Sequence, residues 1–98
     1  MVRRKQQVKK YNNKEISFVS YIVTWKDIVS DSSWQTIDDA KKRKPAIVKS
    51  LCYILKKTKT ETITFSDYSI DCDNEDDIEI ANTNIIPNSV IVNIEKVK

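Results

Sequence analysis

Trp25 in Trp25-Lys26-Asp27, Trp34 in Ser33-Trp34-Gln35 and the run Lys41-Lys42-Arg43-Lys44-Pro45 gather two indole rings and four cations in one short stretch of a 98-residue chain. Aromatic faces stack on nucleobases, and cations meet phosphates through charge-assisted hydrogen bonds. These residue types therefore suit a flat anionic ligand, a base carrying its phosphate. The same rings and cations also occur in an ordinary strand followed by a solvated helix face. Alternation divides them: Trp25 stands among regularly alternating strand residues and is expected in the core. Trp34 lies in polar surroundings just ahead of a helix, where it suits equally a staple packed on the core or an exposed ring. The candidate ligand-binding residues are thus Trp34, Lys41, Lys42, Arg43 and Lys44, with Tyr53 as a second ring for stacking.

Catalysis is hard to assemble from the remaining residues. The chain has no histidine, the commonest general base and metal ligand, and no glycine, so no glycine loop can cradle a phosphate. Cys52 sits inside an apolar strand with no imidazole to activate it, which describes an inert buried thiol. Cys52 and Cys72 are expected as two reduced thiols, and a histidine-free pair cannot complete a four-ligand zinc site. The acidic loop Asp71-Cys72-Asp73-Asn74-Glu75-Asp76-Asp77 lacks the glycine and the spaced final glutamate of a calcium loop, leaving a solvated or partner-facing role. No catalytic residue, metal or cofactor is expected.

The elements that must hold these residues read as mainly β. Residues 1–15 are polar and basic (Arg3, Arg4, Lys5, Lys9, Lys10, Lys14), without a buried period, and are expected as a disordered basic arm able to track a nucleic-acid backbone. A single domain is expected over 16–98. Ile16 to Ile28 is rich in β-branched and aromatic residues and predicts the first strand. Ser30-Asp31-Ser32-Ser33 predicts a turn, and Thr36-Ile37-Asp38-Asp39 the start of a two-turn helix that Pro45 terminates. Ile47 to Lys57 predicts a long strand with Val48, Ser50, Cys52 and Ile54 on one face and Leu51, Tyr53 and Leu55 on the other. Apolar groups on both faces fit a bent strand shared by two sheets, or one covered by a partner. Thr62-Ile63-Thr64-Phe65 is expected to return with Ile63 and Phe65 inward. A strand then starts at Ile78, Ile86-Pro87-Asn88-Ser89 makes a tight turn, and Val90 to Val97 closes with Val90, Val92 and Ile94 on one face. Five short strands and one helix predict a small five-stranded half-open barrel, with Asn and Asp supplying any positive-φ turns that glycine cannot.

The net charge of +3 conceals an asymmetry. Residues 1–59 hold fifteen Lys/Arg against five Asp/Glu, and residues 60–98 hold two against nine. Such a chain can pair with copies of itself, and a homo-oligomer is expected. No apolar run approaches the ~20 residues of a membrane helix, and no basic-then-apolar secretory segment opens the chain.

Trp25-x-Asp27, Trp34, Pro45-x-Ile47-Val48-x-Ser50-Leu51 and Ile86-Pro87-x-x-x-Ile91-x-x-Ile94, in that order, resemble a group of small phage and prophage proteins over about residues 20 to 97. Cys52 stands where that pattern carries a glycine. The layout is also similar to Sm-like barrels. The resemblance implies a viral accessory protein in the host bacterial cytoplasm, of a class that often counters host defences, and it supplies no site residues. Together with the ring-and-cation stretch it leads to one leading expectation: a non-enzymatic sponge that sequesters a host immune nucleotide signal. A small nucleic-acid-binding barrel and a protein-interaction module that inhibits a host defence protein are the alternatives.

Overall fold

The computed structural model describes residues 8–11, 14–70 and 78–98. In chain order the elements are β1 (Val8–Tyr11), β2 (Lys14–Ser17), β3 (Ser20–Asp27), α1 (Ile37–Lys41), β4 (Ala46–Lys57), β5 (Glu61–Phe65), β6 (Asp67–Ile70), β7 (Ile78–Ala81), β8 (Asn84–Pro87), the 3-10 turn η1 (Asn88–Val90) and β9 (Ile91–Lys96). The protein is mainly β, and its centre is a five-stranded antiparallel sheet of order β8-β5-β4-β3-β9.

The two outermost strands, β8 and β9, are neighbours in sequence, joined only by η1. Outer strands of a flat five-stranded sheet would stand ~19 Å apart at ~4.8 Å per step. The four residue steps from Pro87 to Ile91 span at most ~14 Å. The sheet must therefore curl. Its concave face gathers Val23 of β3, Cys52 of β4 and Ile86 of β8, with Tyr21, Trp25, Val90, Ile91 and Ile94 packed against them. No hydrogen-bonded pairing joins β8 to β9 among the described residues, so the sheet is curled but not closed into a barrel. Asn88 fastens the crossover: its side-chain N–H donates to Thr58 O at 2.8 Å, and its Oδ1 accepts from Thr62 Oγ1 at 2.7 Å.

β5 and β6 on one side, β7 and β8 on the other, form one long hairpin. Thr64 pairs with Asn84 and Asp67 with Ala81, so the register passes through the Ser66 bend with no residue inserted on either side. Ser66 N–H donates to Ala81 O at the join. Beyond Ser66 the hairpin leaves the main sheet and pairs only with itself. Asn82, at φ 56, bends the chain between β7 and β8 opposite Ser66, the left-handed position that asparagine fills in a chain without glycine.

Several expectations need correction. Within the expected arm, Val8–Tyr11 pairs with Lys14–Ser17 in register, and residues 1–7 and 12–13 lie outside the described residues. The first long strand begins at Ser20, after a break at Phe18 and Val19, because Ile16 turns instead onto Phe65 in a second cluster. Thr62 and Thr64 are fully buried, while Ile63 is only half-buried. Phe65 is indeed buried, but against Ile16, Phe18, Tyr53, Ile78 and Ile80 on the face opposite the first cluster. Both faces of β5 are thus covered, which a one-faced alternation does not anticipate. The expected turn at Ile86-Pro87 is the end of strand β8, and the tight turn is η1. A bulge opposite Thr24 and Trp25 then puts Ile91 and Ile94 inward and leaves Val92 exposed. The acidic loop 71–77 and Cys72 lie outside the described residues.

The two buried threonines differ in a way that a stability measurement reads. Thr62 donates to Asn88, whereas Thr64 Oγ1 has no partner better than the Cys52 sulfur, a weak acceptor. Replacing an unsatisfied buried hydroxyl by a methyl removes a desolvation cost, while removing a satisfied one strands its acceptor. Thr64→Val is expected to raise stability by about 1 kcal/mol, and Thr62→Val to lower it by ~1–3 kcal/mol. Urea melts of the two variants check the signs, and equal signs would refute the assignment.

Candidate functional site

Between β3 and β4 the chain makes an excursion, residues 28–45, in which every residue is exposed. Its fold is local. Asp31 accepts from Ser33 N–H at 2.8 Å, Ser33 Oγ at 2.7 Å and Gln35 Nε2 at 2.8 Å, with Arg43 at 3.4 Å. The Ser33 hydroxyl first, then the Ser33 backbone N–H, hold the Asp31 carboxyl below its ordinary 3.8, and Gln35 and Arg43 add to them. Thr36 caps α1 as its spacing predicts, accepting from Asp39 N–H at 3.1 Å. The helix is a residue or so over one turn, Ile37–Lys41, and not two turns, because Lys42 is already its C-cap. Lys44 and Pro45 lead directly into β4.

Trp34 is 102% exposed, with Ile28 at 87% and Ile37 at 74%. Its indole therefore touches nothing that would hold it. Lys41, Lys42 and Lys44 share the excursion with it, and the one ion pair among the described residues is Arg43–Asp31. Five of the six candidate residues thus stand on one protruding segment. Tyr53 does not join them: from Ala46, where the excursion ends, to Tyr53 is ~24 Å along β4 at ~3.4 Å per residue. Its ring packs instead on Phe65 at 5.1 Å, Phe18 at 5.8 Å and Tyr68 at 6.1 Å between centroids. Trp25 is where alternation put it, against the first cluster, and its Nε1–H donates to Ser50 Oγ at 3.0 Å.

One concavity escaped the sequence. A hollow of about 540 Å³ on the β6–β7 part of the long hairpin is lined by Asp67, Tyr68, Ser69, Glu79, Ile80 and Ala81. Tyr68 forms its wall and reaches the Phe18 ring at 4.8 Å. Asp67 is tied to the Asn82 side-chain amide, while Glu79 points from an exposed strand position. The signal available in the sequence was the pair of short alternating segments that flank the acidic loop, Tyr68-Ser69-Ile70 and Ile78-Glu79-Ile80.

Burial raises the Cys52 thiol above its ordinary 9.0, against a smaller opposing contribution from Thr64. A raised thiol pKa means that folding favours the protonated form; this contribution is present below the unfolded value and lost as pH rises through the folded one. In a Cys72→Ser chain at pH 8, Cys52 is expected to react with a thiol reagent at least ~100-fold slower folded than unfolded, since reaction requires opening of the sheet. Equal rates would show that the thiol is accessible.

Among the described residues no group of three His, Cys, Asp or Glu side chains is placed to hold a metal ion, and no helix is long and apolar enough to cross a membrane. The chain matches no family model, no curated protein and no solved structure.

Proposed function

We propose that this is a non-enzymatic binding protein of phage origin that sequesters a host immune nucleotide signal in the bacterial cytoplasm, with Trp34 stacking on the base and Lys41, Lys42, Arg43 and Lys44 meeting phosphate. The observation that carries the reading is the fully exposed Trp34 on the same locally braced segment as the four-cation run. A stacked base contributes ~1–3 kcal/mol and each charged hydrogen bond ~1.5–3 kcal/mol. A few such contacts reach micromolar affinity, about −8 kcal/mol. The sheet order, with a 3-10 turn between the two edge strands, supports the Sm-like half-open barrel layout, an analogy of fold that carries no function with it. Ile47 and Leu51, left exposed on β4, support a homo-oligomer.

A thermal-shift panel of cyclic and linear nucleotides tests the reading, followed by chromatography of ligand released on denaturation. At 100 times Kd a ligand stabilises by about 2.7 kcal/mol, or ~10 °C and more for a domain of this size. The released nucleotide is expected intact. If none raises the melting temperature at millimolar concentration, the reading fails. A second reading, a module that binds and inhibits a host defence protein, is favoured by Ile28, Trp34 and Ile37 all standing uncovered on the one excursion, since Trp and Arg are enriched among the anchors of interfaces. Shifts of oligonucleotides of any sequence at low salt, lost steeply as salt rises, would instead indicate nucleic-acid binding by the basic half.

A further inference from the structure

We propose that two copies of this chain pair β9 to β9, antiparallel about a twofold axis, with Ile94 of one copy opposite Ile94 of the second copy. The pairing uses no residue of the proposed nucleotide site and requires no nucleotide.

The backbone decides which edge is open. An unpaired row of N–H and C=O groups along an outer strand is a template for another strand. β8 and β9 are the outer strands of the sheet. In an antiparallel ladder, residues whose backbone groups face the neighbouring strand alternate with residues whose groups face away. Asn88 N–H donates to Thr60 O at 2.9 Å, so Ile86 and Asn84, two and four residues back, also face β5. Ile85 and Pro87 therefore face outward, and Pro87 has no N–H to give. That edge offers one donor within the strand and is stopped by its proline. Val97 N–H donates to Ser20 O at 2.9 Å, so Glu95 and Asn93 face β3. Ile94 and Lys96 face outward, each with a donor and an acceptor, and no strand pairs with them among the described residues. The bulge lies at the η1 end of β9 and leaves Asn93 to Lys96 in unbroken register with β3.

A second copy is the occupant because this row is complementary to itself. Outward residues must meet outward residues, so only shifts of two residues are open. With Ile94 opposite itself, Asn93 meets Glu95 and Lys96 meets Val92 of the second copy, and no like charges oppose. A shift toward the C-terminus sets Glu95 against Glu95, a destabilising pair, and the opposite shift draws the bulge into the centre. The side chains suit the chosen register. Ile94 is half-buried against the first cluster, so Ile94 beside Ile94 joins the concave clusters of two copies. Within one copy that margin is uncovered: Ile91 and Ile94, with Lys57 and Asn88, line an open hollow of about 240 Å³. Val92, exposed in one copy, comes against the Lys96 stem. The contact is isologous, and Pro87 stops the other edge, so assembly closes at two copies.

Light scattering of the full chain without nucleotide tests the number of copies, and cross-linking tests the register. The wild-type chain should run at twice the 11.4 kDa of one copy. Lys96→Pro deletes an outward donor at each end of the pairing but no bond to β3, and should raise the dimer Kd about 10-fold with the fold retained. In the Cys72→Ser chain, Asn93→Cys and Glu95→Cys are made separately, both at exposed positions. Opposed residues of a non-hydrogen-bonded pair stand ~4.5 Å apart between Cα atoms, within the ~4.4–6.8 Å that a disulfide spans. An oxidised mixture of the two variants should give a cross-linked dimer, and neither variant should cross-link to itself. A monomeric wild type overturns the proposal, as does an assembly larger than a dimer. So do a mixture that fails to cross-link, a variant that cross-links to itself, and a Lys96→Pro chain that dimerises as tightly as the wild type. None of these outcomes decides whether nucleotide binds, which the thermal-shift panel reads separately.

Discussion

Phe65→Ala is expected to lower the stability of the folded chain by ~3–5 kcal/mol, the range for a large aromatic removed from a packed interior. Phe65 is fully buried, and Ile16, Phe18, Tyr53, Ile78 and Ile80 lie against the same cluster. Those neighbours come from four different places: β2 and the bend after it, β4, and β7 of the long hairpin. One ring therefore fastens both projecting hairpins to the curled sheet. Against the ~5–15 kcal/mol of a small domain the loss is a large fraction of the total. Urea unfolding measures it, with Ile85→Ala as the control, because Ile85 is 65% exposed and should change stability by less than ~0.5 kcal/mol. A loss below ~1 kcal/mol for Phe65→Ala would mean that the ring is not interior.

Trp34→Ala should separate binding from folding. The indole contacts nothing in its own chain, so the urea midpoint is expected to stay unchanged. Under the nucleotide reading the variant loses a stacking contribution of ~1–3 kcal/mol, which weakens affinity about 5-fold to about 150-fold. Trp25→Phe is the opposite case. It keeps the ring in the core but deletes the Nε1–H···Ser50 bond, so stability falls by about 1 kcal/mol and ligand affinity is unchanged. Titration of the strongest nucleotide from the panel against both variants reads the split. If Trp25→Phe weakens binding and Trp34→Ala does not, the ligand lies in the concave face of the sheet and the site has been misplaced.

The division between the two tryptophans was legible beforehand because strand alternation is a local property. Tyr21, Val23 and Trp25 share one face whatever pairs with them, and the cap at Thr36 needs only a hydroxyl three residues ahead of a backbone N–H. The long strand β4 was legible on the same ground, including its two apolar faces, which serve two clusters. What escaped was settled by partners distant in sequence. Asp67–Ile70 and Asn84–Pro87 are four residues each and become strands because each has another strand beside it in register. Val92, although it alternates with Val90 and Ile94, is turned outward by a bulge that the sequence of β9 does not mark.

By itself, then, the order of residues determined a mainly β chain with one capped helix, a Trp25 turned toward the core, a buried thiol at Cys52 and one segment that carries a ring and four cations. Each of these follows from periods and spacings within a few residues. Tertiary structure alone decided that Tyr53 belongs with Phe18, Phe65 and Tyr68 instead of Trp34, and that a hollow stands on the long hairpin. It also decided that the sheet curls without closing, with β8 and β9 as its two edges. Those results depend on which strands pair and on how far the sheet twists before the short η1 link is taut. Both are set by contacts between residues far apart along the chain, which no local pattern records.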